Sequence, residues 1–403
     1  MSTNLEHLWM PFSANRGFKS EPRLMNEAKG MYYKKLDGTK VMDGTAGLWC
    51  CNAGHGNEKI VKAIQDQAAK LDFAPSFQMG HPLAFEAAEK LLSIAPSNDF
   101  QYTFFTNSGS EAVDTALKIA LGYQHHRGKT DKTILIGRER AYHGVGFGGI
   151  SVGGLPLNKK HFSLLPSVDH ICATHNLEKN AFSKGQPEWG KELAEDLLQV
   201  IEKHGADKIA AFITEPLAGS TGVLVPPKGY LERIREICTQ NDILLIFDEV
   251  ITGFGRLGAP FAAQYFDVEP DMITCAKGLT SGTIPMGAVL VKKEIYDAFQ
   301  DGDANSIDLF HGYTYSAHPM AAAALIASLD VYTEDNLFER TNELASYWED
   351  ALHSLKGTSH VIDIRNLGLV AGIEMSPREG SPGTRGYDVF TDGFHNHNLL
   401  LRI

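Results

Sequence analysis

Short apolar runs recur along the chain, separated by helix-length segments, and most of them break off at a polar residue. Strands are expected over TFF (103–105), TILIG (133–137), IAAFI (209–213), ILLIF (243–247), MITC (272–275) and AVLV (288–291). Apolar positions at helical spacing predict helices over 57–71, 82–95, 109–123, 192–205 and 229–241. Continuous apolar strands alternating with amphipathic helices predict a large, mostly parallel sheet covered on both faces. Ahead of this block lies MYYKKLDGTKVMDGTAGLWC (31–50), strand-rich with a DG turn. After it come a long AAAALIASLDVY helix pattern and further mixed material. The expected organisation is a large α/β domain over 57–320 and a smaller α+β domain assembled from both chain ends, 1–56 and 321–403.

Composition changes this picture only a little. Lysines and arginines number 37 against 49 acidic residues, so the formal charge is 37 − 49 = −12. No basic stripe is available to neutralise phosphates, which excludes a general nucleic-acid binder. The five cysteines (Cys50, Cys51, Cys172, Cys238, Cys275) form no CxxC pair, as expected of a reduced, cytoplasmic protein. No stretch approaches ~18 consecutive apolar residues, and the start lacks the basic segment and apolar core of a signal peptide. No membrane span is expected. The sixteen histidines form no HExxH or other ligand set, so no metal is expected.

The chemistry gathers at the strand ends. In open α/β sheets, ligands sit beyond the carboxyl ends of the strands. TFF runs into TNSGSEAVD, IAAFI into TEP, ILLIF into DEVITGFGR and MITC into AKGL. Gly109, Ser110 and the amides after them suit a phosphate at a helix N-terminus; the plainer reading is an ordinary cap by Ser108 or Ser110. Asp248 and Glu249 directly follow five apolar residues, where a carboxylate meets a cation or several donors, or simply caps a helix. Lys277 is the only charged side chain from Met272 to Val291. A buried lysine sheds its proton and becomes an amine able to form Schiff bases; the alternative is a lysine that pairs with a carboxylate or reaches water. Jointly, a phosphate cradle, a carboxylate and such a lysine are the parts needed to hold pyridoxal 5'-phosphate. Tyr142 is a candidate to stack on its ring. Gly144, Gly146 and Gly149 satisfy GxGxxG, but the motif does not directly follow a strand and no helix pattern follows it, so a dinucleotide site is not expected.

The sequence resembles the class III (ω-type) aminotransferases among the fold type I pyridoxal-phosphate enzymes. It is most similar in appearance to the β-alanine or ω-amino acid:pyruvate transaminases. The segments that carry the resemblance span the chain: LWMPFSANR, GLW, PSFQMGHPL, TNSGSEAVDTALK, YHGV, TEPLAGSTGVLVPPKGYL, IFDEVITGFGRLG, AKGLTSGTIPMGAV, HGYTYSAHP, VIDIRNLGL and LLLRI. The resemblance implies that the large sheet has seven strands, that Lys277 is the Schiff-base lysine and proton shuttle, and that Asp248 faces the pyridine nitrogen. It places Val250 and Tyr142 on the two faces of the ring, Gly109 and Ser110 on the phosphate, and His143 and Glu215 close to Asp248. Thr314 would reach the phosphate of a neighbouring subunit, implying a homodimer or homotetramer with shared sites. Trp49, Phe77 and Tyr142 would line the substrate pocket, and Arg402 would pair with a substrate carboxylate. Family members continue after this arginine, so an end at Ile403 reads as a short or partial C-terminus. The implied reaction moves an amino group from an ω-amino acid or primary amine to pyruvate by a ping-pong route. Taurine or 4-aminobutyrate:pyruvate transaminases, and an aminomutase, are the alternatives.

Overall fold

A computed structural model describes residues 4–403. Three antiparallel strands come first, β1 (Met25–Lys29), β2 (Tyr32–Lys35) and β3 (Lys40–Asp43). The expected DG turn joins the last two, with Gly38 at a φ of 86° that suits a residue without Cβ.

Seven strands then build the main sheet: β4 (Phe100–Thr106), β5 (Ile134–Arg138), β6 (Val168–Ile171), β7 (Ile209–Thr214), β8 (Leu244–Asp248), β9 (Met272–Cys275) and β10 (Gly287–Lys292). Their order is β4-β10-β9-β8-β7-β5-β6. β10 runs antiparallel to both neighbours and the remaining pairings are parallel. Successive side chains of a strand point to opposite faces, and the core divides accordingly. Phe212, Leu245, Phe247 and Ile273 join one buried cluster. Ala211, Ile213, Leu244, Ile246 and Met272 join the other. Both faces are dry, which is why these strands read as unbroken apolar runs.

Six of the seven strands coincide with those runs. The seventh, β6 (VDHI), lies at the sheet edge and carries polar side chains: Asp169 Oδ2 is 2.7 Å from both Lys203 Nζ and His204 Nε2. An edge strand needs no continuous apolar run, so periodicity alone misses it.

The expected helices appear as Glu58–Lys70, Pro82–Leu92, Gly109–His126, Asp196–His204 (with a 3₁₀ turn before it) and Tyr230–Gln240. Asn57 caps the first by accepting from the amides of Lys59 and Ile60. The alanine-rich stretch forms Pro319–Glu334. The hairpin β11 (Val361–Leu367) and β12 (Val370–Met375) follows, and then β13 (Leu399–Leu400) pairs parallel with β3. Residues from both ends of the chain therefore share one sheet, in the order β1-β2-β3-β13. Among the described residues, no helix is long and apolar enough to cross a membrane.

Candidate active site

The carboxyl ends of β8 and β9 place Asp248 and Lys277 on one edge of the sheet. Asp248 is the last residue of β8 and is 5% exposed. Its Oδ2 lies 2.8 Å from His143 Nδ1, and its Oδ1 accepts from the Val250 amide (3.2 Å) and Thr274 Oγ1 (3.3 Å). The other nitrogen of His143, Nε2, is buried and has no partner. Glu249 follows immediately yet belongs to a different environment. Strand alternation sends its side chain to the other face, where it accepts from Thr252 Oγ1 and the amides of Ala262 and Ala263. Of the two adjacent acids that residue pattern alone treats alike, Asp248, which the resemblance singled out, is bonded to His143, and Glu249 holds the following turn. Burial pushes the Glu249 carboxyl up to about 7.

Lys277 begins a 3₁₀ turn and adopts a φ of 49°, a left-handed conformation that a side chain with Cβ enters at a cost on the order of 1–3 kcal/mol. Burial lowers its pKa. The charges of Cys50, Asp248 and Glu215 act in the opposite sense, and that of Arg402 acts with burial. No salt bridge or hydrogen bond engages the amine among the described residues. It is a lysine without a partner of its own, whose charge burial disfavours, and the neutral amine is the nucleophilic form.

Glu215, directly after β7, accepts from the Tyr142 amide at 2.9 Å. Burial is the main cause of its pKa of about 7, with the Asp248 charge adding to it. Tyr142 is half-buried; burial raises its phenol while the Arg402 charge opposes this. Arg402, exposed beyond β13, thus lies within electrostatic reach of both Tyr142 and Lys277.

The Gly109–His126 helix completes this edge. Ser108 caps it, accepting from the Glu111 amide (3.2 Å), and Ser110 Oγ accepts from the Val145 amide (3.1 Å). A Cβ on Gly109 would lie 2.9 Å from both Val250 methyls, so glycine is what lets the helix end approach Val250. The GxGxxG loop is explained here too. A Cβ on Gly144 would clash with Ser110, and one on Gly146 with Asp114, whose Oδ1 accepts from the Gly149 amide (2.8 Å). Those glycines allow close packing on the helix. One expectation fails: a short helix, Phe147–Val152, does follow Gly146, begun by backbone contacts that periodicity does not register.

Trp49 sits in the 45–52 segment, which wraps over the lysine turn. A Cβ on Gly282 would meet Cys50 Cβ at 2.9 Å, and one on Gly278 would meet Asn52 Nδ2 at 2.7 Å. The indole Nε1 of Trp49 is buried without a partner. Phe77 and Thr314 take no part in this network. Both are exposed, and the Phe77 ring lies against Gly312, two residues before Thr314. Sequence reasoning overlooked Asn52, Cys50, Arg256 and Tyr332 around the turn. Arg256 donates to Asn52 Oδ1 (2.7 Å), and Tyr332 to the Gly278 carbonyl (2.5 Å). Their contacts cross 204 and 54 positions of chain, and no local pattern announces them.

A small molecule bearing an aldehyde, a basic ring nitrogen and a phosphate would meet Lys277, Asp248 and the Gly109–Ser110 helix end respectively. The unpartnered lysine, the carboxylate braced by His143 and the glycine-narrowed helix end all fit such a group.

The chain belongs to the class-III aminotransferase family, matching it over residues 13–397. It is an aminotransferase with the fold type I architecture. It is 59% identical over 403 residues to an omega-aminotransferase of Caulobacter vibrioides, covering 100% of this chain and 91% of that protein. It is 48% identical over 400 residues to a beta-alanine–pyruvate aminotransferase of Pseudomonas aeruginosa, covering 97% and 89%. Among solved structures, the omega transaminase of Pseudomonas jessenii in complex with PMP superposes with a TM-score of 0.91 at 32% identity, covering 99% of this chain and 89% of that one.

Proposed function

We propose that this protein is a pyridoxal 5'-phosphate-dependent ω-amino acid or primary amine:pyruvate aminotransferase. The observation that carries the reading is the partly buried, unpartnered Lys277 beside the His143-braced Asp248. The names of the two relatives support the donor class and pyruvate as acceptor.

Pyridoxal phosphate, when bound, supplies an aldehyde to capture the amino group and an electron sink for charge developing on the donor carbon. This chain's residues do the rest. Lys277 Nζ, its charge disfavoured by burial, would be the group to hold the aldehyde and, when free, the base to move a proton between the donor carbon and the cofactor. Asp248 would face the ring nitrogen, and His143 Nδ1 fixes the orientation of that carboxylate. Val250 and Tyr142 would enclose the ring, and the helix end at Gly109 and Ser110 would hold the phosphate. Glu215 fixes Tyr142 through its amide. Trp49 and Phe77 shape the pocket, and Arg402 offers a guanidinium to a substrate carboxylate.

We further propose that the enzyme is a homodimer or homotetramer in which Thr314 serves the neighbour's phosphate. Its exposure, and that of Trp9 (88%), Phe77 (57%) and Phe310 (88%), supports a surface covered by a second copy. The shared sheet of β1–β3 and β13 supports dividing the chain into 57–320 and a unit from both ends. Five free cysteines support a cytoplasmic setting. The test is alanine production from pyruvate with β-alanine or a simple primary amine as donor. Pyruvate-dependent alanine formation that disappears in Lys277→Ala is expected; turnover retained in that variant would sink the assignment.

A further inference from the structure

We propose that Tyr332 is a positioning residue for Lys277, acting through a hydrogen bond that fixes the lysine turn. Tyr332 lies near the end of the Pro319–Glu334 helix and is 1% exposed. Its hydroxyl donates to the Gly278 carbonyl at 2.5 Å, one residue after the lysine. Ser281, at the far end of the turn, accepts through Oγ from the Ala53 amide at 3.0 Å. Two hydrogen bonds from outside the turn, one to Gly278 O and one to Ser281 Oγ, therefore hold it in place, and buried polar contacts of this kind favour one arrangement strongly.

These bonds have a mechanical purpose. Lys277 and Ser281 bracket the turn, both with a φ of 49°, outside the conformations their side chains favour. Within the turn, the Ser281 amide bonds to Gly278 O and the Gly282 amide to Lys277 O, each at 3.1 Å. Such a turn persists only when its surroundings over-determine it. Tyr332 supplies that constraint from a helix outside the sheet, and Ala53 supplies it from the segment carrying Trp49 and Cys50. An amine that must alternately bond covalently and shuttle a proton loses rate when its attachment drifts, because small misplacements weigh heavily on proton transfer.

The proposal rests on reading Lys277 as the reactive amine. Tyr332→Phe keeps the ring among Phe254 and Phe338 and deletes the hydroxyl; Ser281→Ala removes the acceptor of the Ala53 amide at the other end of the turn. In both, backbone amides of residues 278–284 should exchange with deuterium at least about fivefold faster, in cofactor-stripped as well as loaded protein. kcat should fall about tenfold while KM for the amine donor stays within about twofold. Leu329→Ala, a buried change on the same helix, should lower the melting temperature without altering that exchange or kcat. Wild-type exchange or undiminished kcat in Tyr332→Phe overturns the proposal. So does a Leu329→Ala variant that reproduces both effects. The exchange readout does not depend on the role of Lys277, whose failure would appear separately as turnover in Lys277→Ala.

Discussion

Two lysines of this molecule invite comparison: Lys132 is buried and Lys277 partly so, and burial lowers the pKa of both. Lys132 stands before β5, at the opposite end of the strands from Lys277. There its ammonium donates to the carbonyls of Ile209 and Asp242 and lies 3.3 Å from Asp242 Oδ2. Lys277 has burial without those partners. Burial alone therefore does not mark a reactive lysine. What separates the two is the set of acceptors: Lys132 ties together the starts of β5, β7 and β8, whereas Lys277 is left free to bond with something that is not protein.

The sharpest way to break this comparison is to delete each amine. Lys277→Ala should reduce turnover by about 10⁴-fold or more with little change in melting temperature. Lys132→Ala should leave turnover within about twofold and remove about 1–3 kcal/mol of stability, because the buried Ile209 carbonyl and the partly buried Asp242 carbonyl lose their donor. Steady-state kinetics and denaturant melts read both. Equal loss of activity in the two variants would remove the distinction.

The nearby carboxylates extend the contrast with a smaller effect. Asp248→Asn should slow turnover roughly 10²- to 10³-fold with folding intact, since the charge opposite the ring nitrogen is gone. Asp242→Asn should leave turnover unchanged and lower stability only slightly, its side chain being partly open to solvent. Next in size, Gly109→Ala places a methyl 2.9 Å from Val250. It should weaken cofactor affinity about tenfold, read by titrating cofactor into the stripped protein, with no comparable loss for Gly128→Ala, where a Cβ meets nothing within 4 Å.

The smallest effect is on pH dependence. Glu215 and Glu249 both have carboxyls raised to about 7, chiefly by burial. Raised folded-state values mean the folded protein holds protons that the unfolded chain has released. The stability they contribute is complete below the unfolded value of about 4.3 and is lost as pH climbs through about 7. Melting temperature should therefore decline between about pH 5 and pH 8, and Glu249→Gln should flatten that decline. An unchanged slope in the variant would show that Glu249 does not ionise in this interval.

Much of this was visible before any coordinates. β7, β8 and β9 announce themselves because both of their faces are buried, and Lys277 and Asp248 because charge at the end of an apolar run is conspicuous. The edge strand β6 was not visible, since one open side removes the need for apolar continuity. Residue pattern alone could not separate the adjacent acids Asp248 and Glu249; only the family resemblance chose Asp248, and the pleat supplies the physical reason by sending the two to opposite faces. Asn52, Arg256 and Tyr332 escaped for a different reason: each acts on a turn far away in sequence, through one polar atom, within segments that look like ordinary helix or loop.

The antiparallel strand β10 has one more consequence. Along the parallel strands, the chain leaves one strand and returns to the next by a long detour, such as 249–271 between β8 and β9 or 139–167 between β5 and β6. From β9 it doubles straight back through 276–286, and the returning strand is pinned on both sides, by β9 and by β4. The lysine hangs on the shortest leash of that edge. The long detours can be lengthened, trimmed or repopulated to admit new amines, while the leash resists every insertion. An engineer remodelling this enzyme has wide freedom in the walls of the site and almost none in its anchor.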